Sequence, residues 1–345
     1  MKSKIIRNSI LAIFILSNGC TGEAPREASK PSAKMTNQLS ILPQETNFVL
    51  YANIEAMRNS QFSQEVGGDF GHKFREEWRE ERDFQEFVEA TGLDPNKDIY
   101  EVWVSALGIH DDYGEEDRGG AILRGNFDRE RIVDYVKTEK RREIREVSYR
   151  DYDIFIGEKE NDEEFAFTFL SDEIILGGNE PWLRTVLDLS ENGGQNLMDN
   201  PVMTEYINDI PRKEHLWGVL NINQLTNEWA ERLRQHGSEF KGTESLENMK
   251  TFLFYTYFDQ KADINLKGIF ETEDEAVLFA DMLKGFKAMA KMMVSDDREA
   301  IDMLNEIKIT NREKAVSISG VIGKEFVEKV EQKRKSFSAG EFKLL

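Results

Sequence analysis

The sequence predicts an α+β protein of two related halves, each an antiparallel sheet with helices packed on one face. Three observations predict it. An apolar strand that steps into a helix at an Asn-Ile pair occurs twice: 41-ILPQETNFVLYANIEAMRN-59, set without a gap over 209-DIPRKEHLWGVLNINQLTN-227, matches Pro43 with Pro211, Asn53 with Asn221, Ile54 with Ile222 and Asn59 with Asn227. Leu42 with Ile210, Phe48 with Leu216 and Met57 with Leu225 are apolar exchanges of similar size, so each copy reads as a βα unit opening a half. A strand that passes through a glycine into a helix with an acidic first turn recurs as well. Ala121–Glu130 (AILRGNFDRE) and Asn265–Glu273 (NLKGIFETE) share it, and Ile318–Glu325 (ISGVIGKE) keeps the glycine and the apolar spacing. Finally, alternating strands come in pairs joined by tight turns, at Arg150-Asp151, Ser171-Asp172 and Asn311-Arg312-Glu313, which is antiparallel chemistry.

Residues 1–19 read as a signal peptide. A basic start (Lys2, Lys4, Arg7) precedes the apolar run Ile10–Leu16 and then small or polar residues, the layout of an export signal; the run is too short for a bilayer, which needs ~20 residues. Ser17-Asn18-Gly19-Cys20 resembles the lipobox of bacterial lipoproteins, with Ser17 where leucine is usual. The resemblance implies lipidation of Cys20, which is the single cysteine of the chain, and a mature protein with no thiol left for a disulfide. Thr21 in place of an aspartate after that cysteine implies the outer membrane, facing the periplasm or the cell surface. Residues 20–40 are expected to be the lipidated cysteine and a flexible Ser-, Ala-, Pro-, Lys- and Glu-rich tether. The first half is then 41–205 and the second 206–345.

In the first half, strand Phe48–Ile54 is followed by a helical pattern from about Phe74 to Ala90, stopped by Gly92 and Asp94-Pro95, and by strand Ile99–Leu107. The stretches 42-LPQETNFVLYANI-54 and 91-TGLDPNKDIYEVWVSAL-107 resemble a group of bacterial exported proteins and lipoproteins that open on a Leu-Pro-x-Asp-Thr-x-Phe strand and continue with Thr-Gly-Leu-Asp-Pro. Glu45 stands where that group has aspartate. The shared residues are structural punctuation, and the resemblance implies no activity. Asn179-Glu180-Pro181 is a helix start with proline in the first turn. In the second half a helix carries Leu225, Trp229 and Leu233. A long one from about Thr272 to Val294 then places Phe279, Leu283, Phe286, Met289, Ala290 and Met293 at three- and four-residue spacing. These are expected to fill a core under the sheet; an adaptable methionine-lined groove is the alternative.

The formal net charge is −20, and loss of Lys2, Lys4 and Arg7 with the signal takes it to −23. Such a surface repels nucleic-acid phosphates, so no nucleic-acid partner is expected. None of the four histidines pairs with another at metal-ligand spacing, and no Gly-x-Ser-x-Gly, Walker or HExxH pattern occurs. The acidic loop His110–Asp117 offers Asp111, Asp112, Glu115 and Asp117 as oxygen ligands around Gly114. It lacks the alternation and closing glutamate of a calcium loop, so a solvated hairpin tip is the competing reading. Lys140, Arg141, Arg142 and Arg145 form the one basic cluster, either a salt-bridged helix end or a docking patch for an acidic partner. The expected function is therefore that of a lipid-anchored envelope protein that binds or assembles without catalysis and without a cofactor. Its expected partners are the bacterial membrane, through the lipid, and an envelope protein. The alternatives are a hydrolase-type enzyme with its site between the halves, or a carrier of an apolar ligand beside the methionine-rich helix.

Overall fold

In the computed structural model, residues 38–66, 82–107, 118–138, 144–158, 164–211, 214–222 and 248–328 are described. Strand β1 (Phe48–Asn53) turns into α1 (Ile54–Asn59) at Asn53, whose side chain accepts from the Ala56 amide. Helix α2 (Arg82–Thr91) stops at Gly92, whose φ of 72° suits a residue without a Cβ. Asp94 caps α3 (Pro95–Asp98), which feeds β2 (Ile99–Leu107). Strand β3 (Arg118–Gly125), α4 (Arg129–Thr138) and two hairpins follow: β4 (Ile144–Tyr149) with β5 (Tyr152–Glu158), then β6 (Glu164–Ser171) with β7 (Ile174–Gly178). Asn179 caps α5 (Glu180–Asn192) by accepting from the Trp182 amide, with Pro181 in the first turn as the sequence predicts. A 3-10 turn (Leu197–Asp199) and α6 (Pro201–Asp209) lead to β8 (Leu216–Asn221), β9 (Met249–Phe258) and β10 (Ala262–Phe270). Helices α7 (Glu273–Met293) and α8 (Arg298–Glu306) precede the last hairpin, β11 (Lys308–Arg312) and β12 (Ala315–Ile322).

All twelve strands form one antiparallel sheet, in the order β11-β12-β10-β9-β8-β1-β2-β3-β7-β6-β5-β4, so the α+β antiparallel expectation holds. The two repeat strands, β1 and β8, lie side by side at its centre. Leu50 and Gly218, which the gapless repeat alignment equates, are paired directly, with Phe48 opposite Leu220 and Ala52 opposite Leu216. An approximate two-fold axis therefore passes between Leu50 and Gly218, and β2 and β9, then β3 and β10, flank it on either side. The strand-glycine-helix steps are equivalent under that axis: β3 enters α4 and β10 enters α7. At Gly125 an added Cβ would lie 2.1 Å from the Asp98 carbonyl oxygen, which is the close backbone approach the glycine signals.

Successive residues of a strand face opposite sides, and the two sides are covered differently. One side carries the main core, in which Val49, Trp103, Ile122, Leu176, Trp217 and Leu253 meet α5, α6 and Leu39 and Leu42 of the N-terminal stretch. On the other side of the first half, Phe127, Ile132 and Phe169 pack with Phe87 of α2, whose ring meets Tyr135 edge-on at 5.4 Å. In the second half that side takes α7 through Ala276, Phe279 and Ala280, against Phe270 and Val316. Helices thus stand on both faces of the first half, because α4 and α5 leave the ends of adjacent strands, β3 and β7, toward opposite sides.

Trp182 anchors α5 at the sheet over a backbone gap. A Cβ at Gly120 would lie 2.4 Å from Trp182 Cε3 and 2.6 Å from the Gly177 carbonyl oxygen. Gly120→Ala is expected to destabilise by about 1–3 kcal/mol, seen as a lower urea midpoint with an unchanged slope.

Candidate functional site

At the junction of the halves, where an enzyme of this build would need its cleft, one face of the sheet is filled by aromatic side chains. Tyr51, Trp103 and Trp217 share one face of adjacent strands, with ring centroids 4.3 Å (Tyr51–Trp103), 5.8 Å (Tyr51–Trp217) and 5.7 Å (Trp103–Trp217) apart. The Tyr51 hydroxyl donates to Glu101 Oε1 at 3.4 Å, and Arg124 Nε donates to Glu101 Oε2 at 2.7 Å. The carboxylate is thus engaged on both oxygens beneath a layer of rings. Burial, and then the charge of Glu101, pushes the Tyr51 pKa well above the ordinary tyrosine value; burial raises Tyr255 and Tyr206 in the same sense. A phenol whose folded pKa is raised lends stability that is full below the unfolded value of about 10 and lost as the pH climbs through the folded one. Alkaline titration is therefore expected to show part of the phenolate absorbance appearing only in step with the loss of far-ultraviolet helix and sheet signal.

Among the described residues, the exposed large apolar side chains are concentrated on α7. Thr272 accepts from the Glu275 amide while Glu275 accepts from the Thr272 amide, a reciprocal cap that fixes the helix start. The first turns bury Ala276, Phe279 and Ala280. Beyond Ala280 no residue of the helix is fully buried. Leu278 is 62 % exposed, Met289 51 %, Met292 77 % and Met293 82 %. With half-buried Met282 and with Gly285, where an added Cβ would meet open space, they fall on one side of the helix at three- and four-residue steps. The expectation of a core-filling helix thus holds for Phe279 and fails for Met289 and Met293. Leu283, Phe286, Lys287 and Ala290 stay half-buried on its inner side, so the exposure belongs to one side of the helix.

Asp281 borders this stripe, whereas Lys284, Lys287 and Lys291 fall on the other side of the helix at 3.6 residues per turn. Between Met282 and Ser295 the chain has Lys284, Lys287 and Lys291 and no carboxylate. Lys284 reaches Asp281 at 2.8 Å, one turn back. Lys287 donates to the carbonyl oxygens of Asn305 (3.1 Å) and Ile307 (2.5 Å), tying α7 to the end of α8. Burial, and then the neighbouring Lys291, holds the Lys287 pKa below its ordinary value.

Of the residues singled out from sequence, Cys20, the acidic set Asp111, Asp112, Glu115 and Asp117, and Lys140, Arg141 and Arg142 lie outside the described residues, as does the Leu225–Leu233 helix. Arg145 is exposed on β4, with Glu180 of α5 at 3.9 Å, and Lys137 pairs with Glu146 at 2.9 Å. Among the described residues no three His, Cys, Asp or Glu side chains are grouped to hold a metal ion, and no helix is long and apolar enough to cross a membrane. The Glu101–Arg124 pair was not anticipated, although a signal for it exists: period two puts Glu101 on the same face as Trp103 and Ser105 in IYEVWVSAL.

No protein-family model matches the chain, and no curated protein matches it. Among solved structures, the crystal form I structure of the Treponema protein TP0453 superposes with a TM-score of 0.42 at 8% identity, over 88% of this chain and 98% of that one.

Proposed function

We propose that this chain is an exported protein of the bacterial envelope, held at the outer membrane through lipidated Cys20, that works by binding an envelope partner on the exposed side of α7 and not by catalysis. In this reading residues 1–19 are removed, 20–40 tether the fold, and the halves 41–205 and 206–345 form a scaffold that presents α7. The observation that carries it is the stripe Leu278, Met289, Met292 and Met293. Large apolar side chains gathered on one helix side are a contact surface more often than chance exposure, and methionine adapts to the shape of what it meets.

Magnitudes decide what the anchor contributes. Covering four such side chains yields roughly 1.5–3 kcal/mol each, so about 6–12 kcal/mol in all, while association costs about 4–15 kcal/mol. The stripe alone gives a weak, reversible contact. Confinement of both proteins to one membrane raises their effective concentration and makes such a contact sufficient. The lipid and the stripe are parts of one device in this account.

The test is crosslinking in intact cells of the native chain and of a Cys20→Ser form, followed by detergent extraction and mass spectrometry. A near-stoichiometric envelope protein that is recovered with the native chain and lost with Cys20→Ser supports the reading. Recovery of the native chain alone overturns it.

A further inference from the structure

We infer that Thr46 and Asn47, at the entry to β1, bind an internal water molecule where the N-terminal turn meets the middle of the sheet. Asn47 is 1 % exposed and Thr46 is fully buried. Among the described residues, neither Asn47 Oδ1, Asn47 Nδ2 nor Thr46 Oγ1 meets a hydrogen-bond partner. An amide offers two donors and two lone pairs, and a hydroxyl one donor and two lone pairs, so several strong polar groups are shut away from solvent at one point. Left unmet they would forfeit a sizeable part of the stability of a domain; buried polar groups are accordingly found bonded to protein or to ordered water. The segment is not free to turn these groups elsewhere. The Asn47 amide donates to the Ala106 carbonyl on β2 at 3.0 Å, and its carbonyl accepts from the Asn221 amide on β8 at 2.7 Å, so the backbone is held from both sides. The Thr46 amide donates to the Pro43 carbonyl at 3.2 Å, and the Gln44 carbonyl accepts from Asn200 Nδ2 at 2.9 Å.

The surroundings select a small, neutral guest. Buried Asn221 stands across from Asn47, and buried Thr251 across from Asn221; none of these four side chains carries a charge. An ion there would lose its hydration without a counter-charge. Water both donates and accepts, makes about three hydrogen bonds, and needs only about 30 Å³. The repeat points to a built site. It equates Thr46 and Asn47 with Glu214 and His215, and the backbone clamp recurs: the His215 amide donates to the Thr256 carbonyl at 3.0 Å, and its carbonyl accepts from the Asn53 amide at 2.7 Å. Glu214 is buried as well. A polar residue buried at the strand entry is thus a property of both copies, and the first copy is the one without an ionisable group. Its water fastens the turn through which the chain joins the main core at Leu39 and Leu42.

The experiment is a crystal structure of the full chain carrying Cys20→Ser, at a resolution that shows ordered water, with water-oxygen relaxation dispersion in solution to count long-lived internal waters. The expected result is a peak the size of one water oxygen, about 2.7–3.2 Å from Oδ1 or Nδ2 of Asn47 and from a polar atom of Thr46, Asn221 or Thr251. Asn47→Leu is expected to hold one long-lived water fewer than the chain with Asn47 intact. Thr46→Val, the smaller change, is expected to speed exchange of that water, and it gives a second readout should the leucine variant fail to fold. Neither readout depends on a contact at α7. A peak too large for water assigns the place to a small organic molecule and overturns the inference. A direct bond from the Asn47 amide to protein atoms with no water peak overturns it too, as does a water count and exchange rate unchanged by the substitutions.

Discussion

Met289→Glu combined with Met293→Glu is expected to abolish recovery of the envelope partner while moving the thermal midpoint by no more than about 2 °C. Both side chains already face water, so the folded chain loses little packing, and exposed substitutions of this kind stay within about 0.5 kcal/mol. In the complex each methionine gives up its burial of roughly 1.5–3 kcal/mol, and each new carboxylate has to be desolvated against an apolar partner. At about 1.4 kcal/mol per factor of ten, the loss exceeds a hundredfold in affinity. Phe279→Ala, on the covered side of the same helix, is the contrasting variant. It removes a ring packed 5.0 Å from Phe270 and is expected to lower stability by about 3–5 kcal/mol. Partner loss in the first variant without a change in melting separates contact from folding.

The largest expected effect on folding is at Trp182. Its side chain is fully buried, it closes the gap above Gly120, and its Nε1 donates to Ser105 Oγ at 2.9 Å. Trp182→Ala is expected to cost about 3–5 kcal/mol, a large part of the 5–15 kcal/mol that holds an ordinary domain together. The hydrogen bond is separable from the packing. Trp182→Phe leaves the buried Ser105 hydroxyl without its donor at a cost of roughly 1–3 kcal/mol, and Ser105→Ala in the same chain is expected to recover part of it. A double-mutant cycle by urea denaturation measures that coupling, and additive effects would show the bond to be immaterial.

Local signals in the sequence carried most of the fold. The repeat around Asn53 and Asn221 located two equivalent strands, while their place at the centre of the sheet and their pairing at Leu50 and Gly218 came from the structure alone. Asn179 with Pro181 and Gly92 behave as their chemistry demands, and the turn expected at Arg150-Asp151 forms although it holds Arg150 at φ 53°, which residues with a Cβ rarely adopt. What escaped was relational. Helical periodicity in Phe279, Leu283, Phe286, Met289 and Met293 reports an apolar side but not how much of it the neighbouring elements cover: Leu283 and Phe286 are half-buried, whereas Met289 and Met293 are exposed. Exposure of the last turns depends on strand positions set far away in the chain. Tyr51, Trp103 and Trp217 come from three separate segments, and only the strand order brings their rings together. Two faces covered by different helices likewise require knowing that β3 and β7 are neighbours. The basic cluster shows the reverse weakness, since charge alone could not tell a docking patch from Arg145 lying beside Glu180 on the adjoining helix.

The most direct test places a photo-crosslinking residue at Met292 in the native, lipidated chain and illuminates intact cells, with the same residue at exposed Thr310 of β11 as control. The account predicts one major adduct from position 292, absent from position 310 and lost when Met289→Glu is added. No adduct from 292, or the same adducts from both positions, would contradict it.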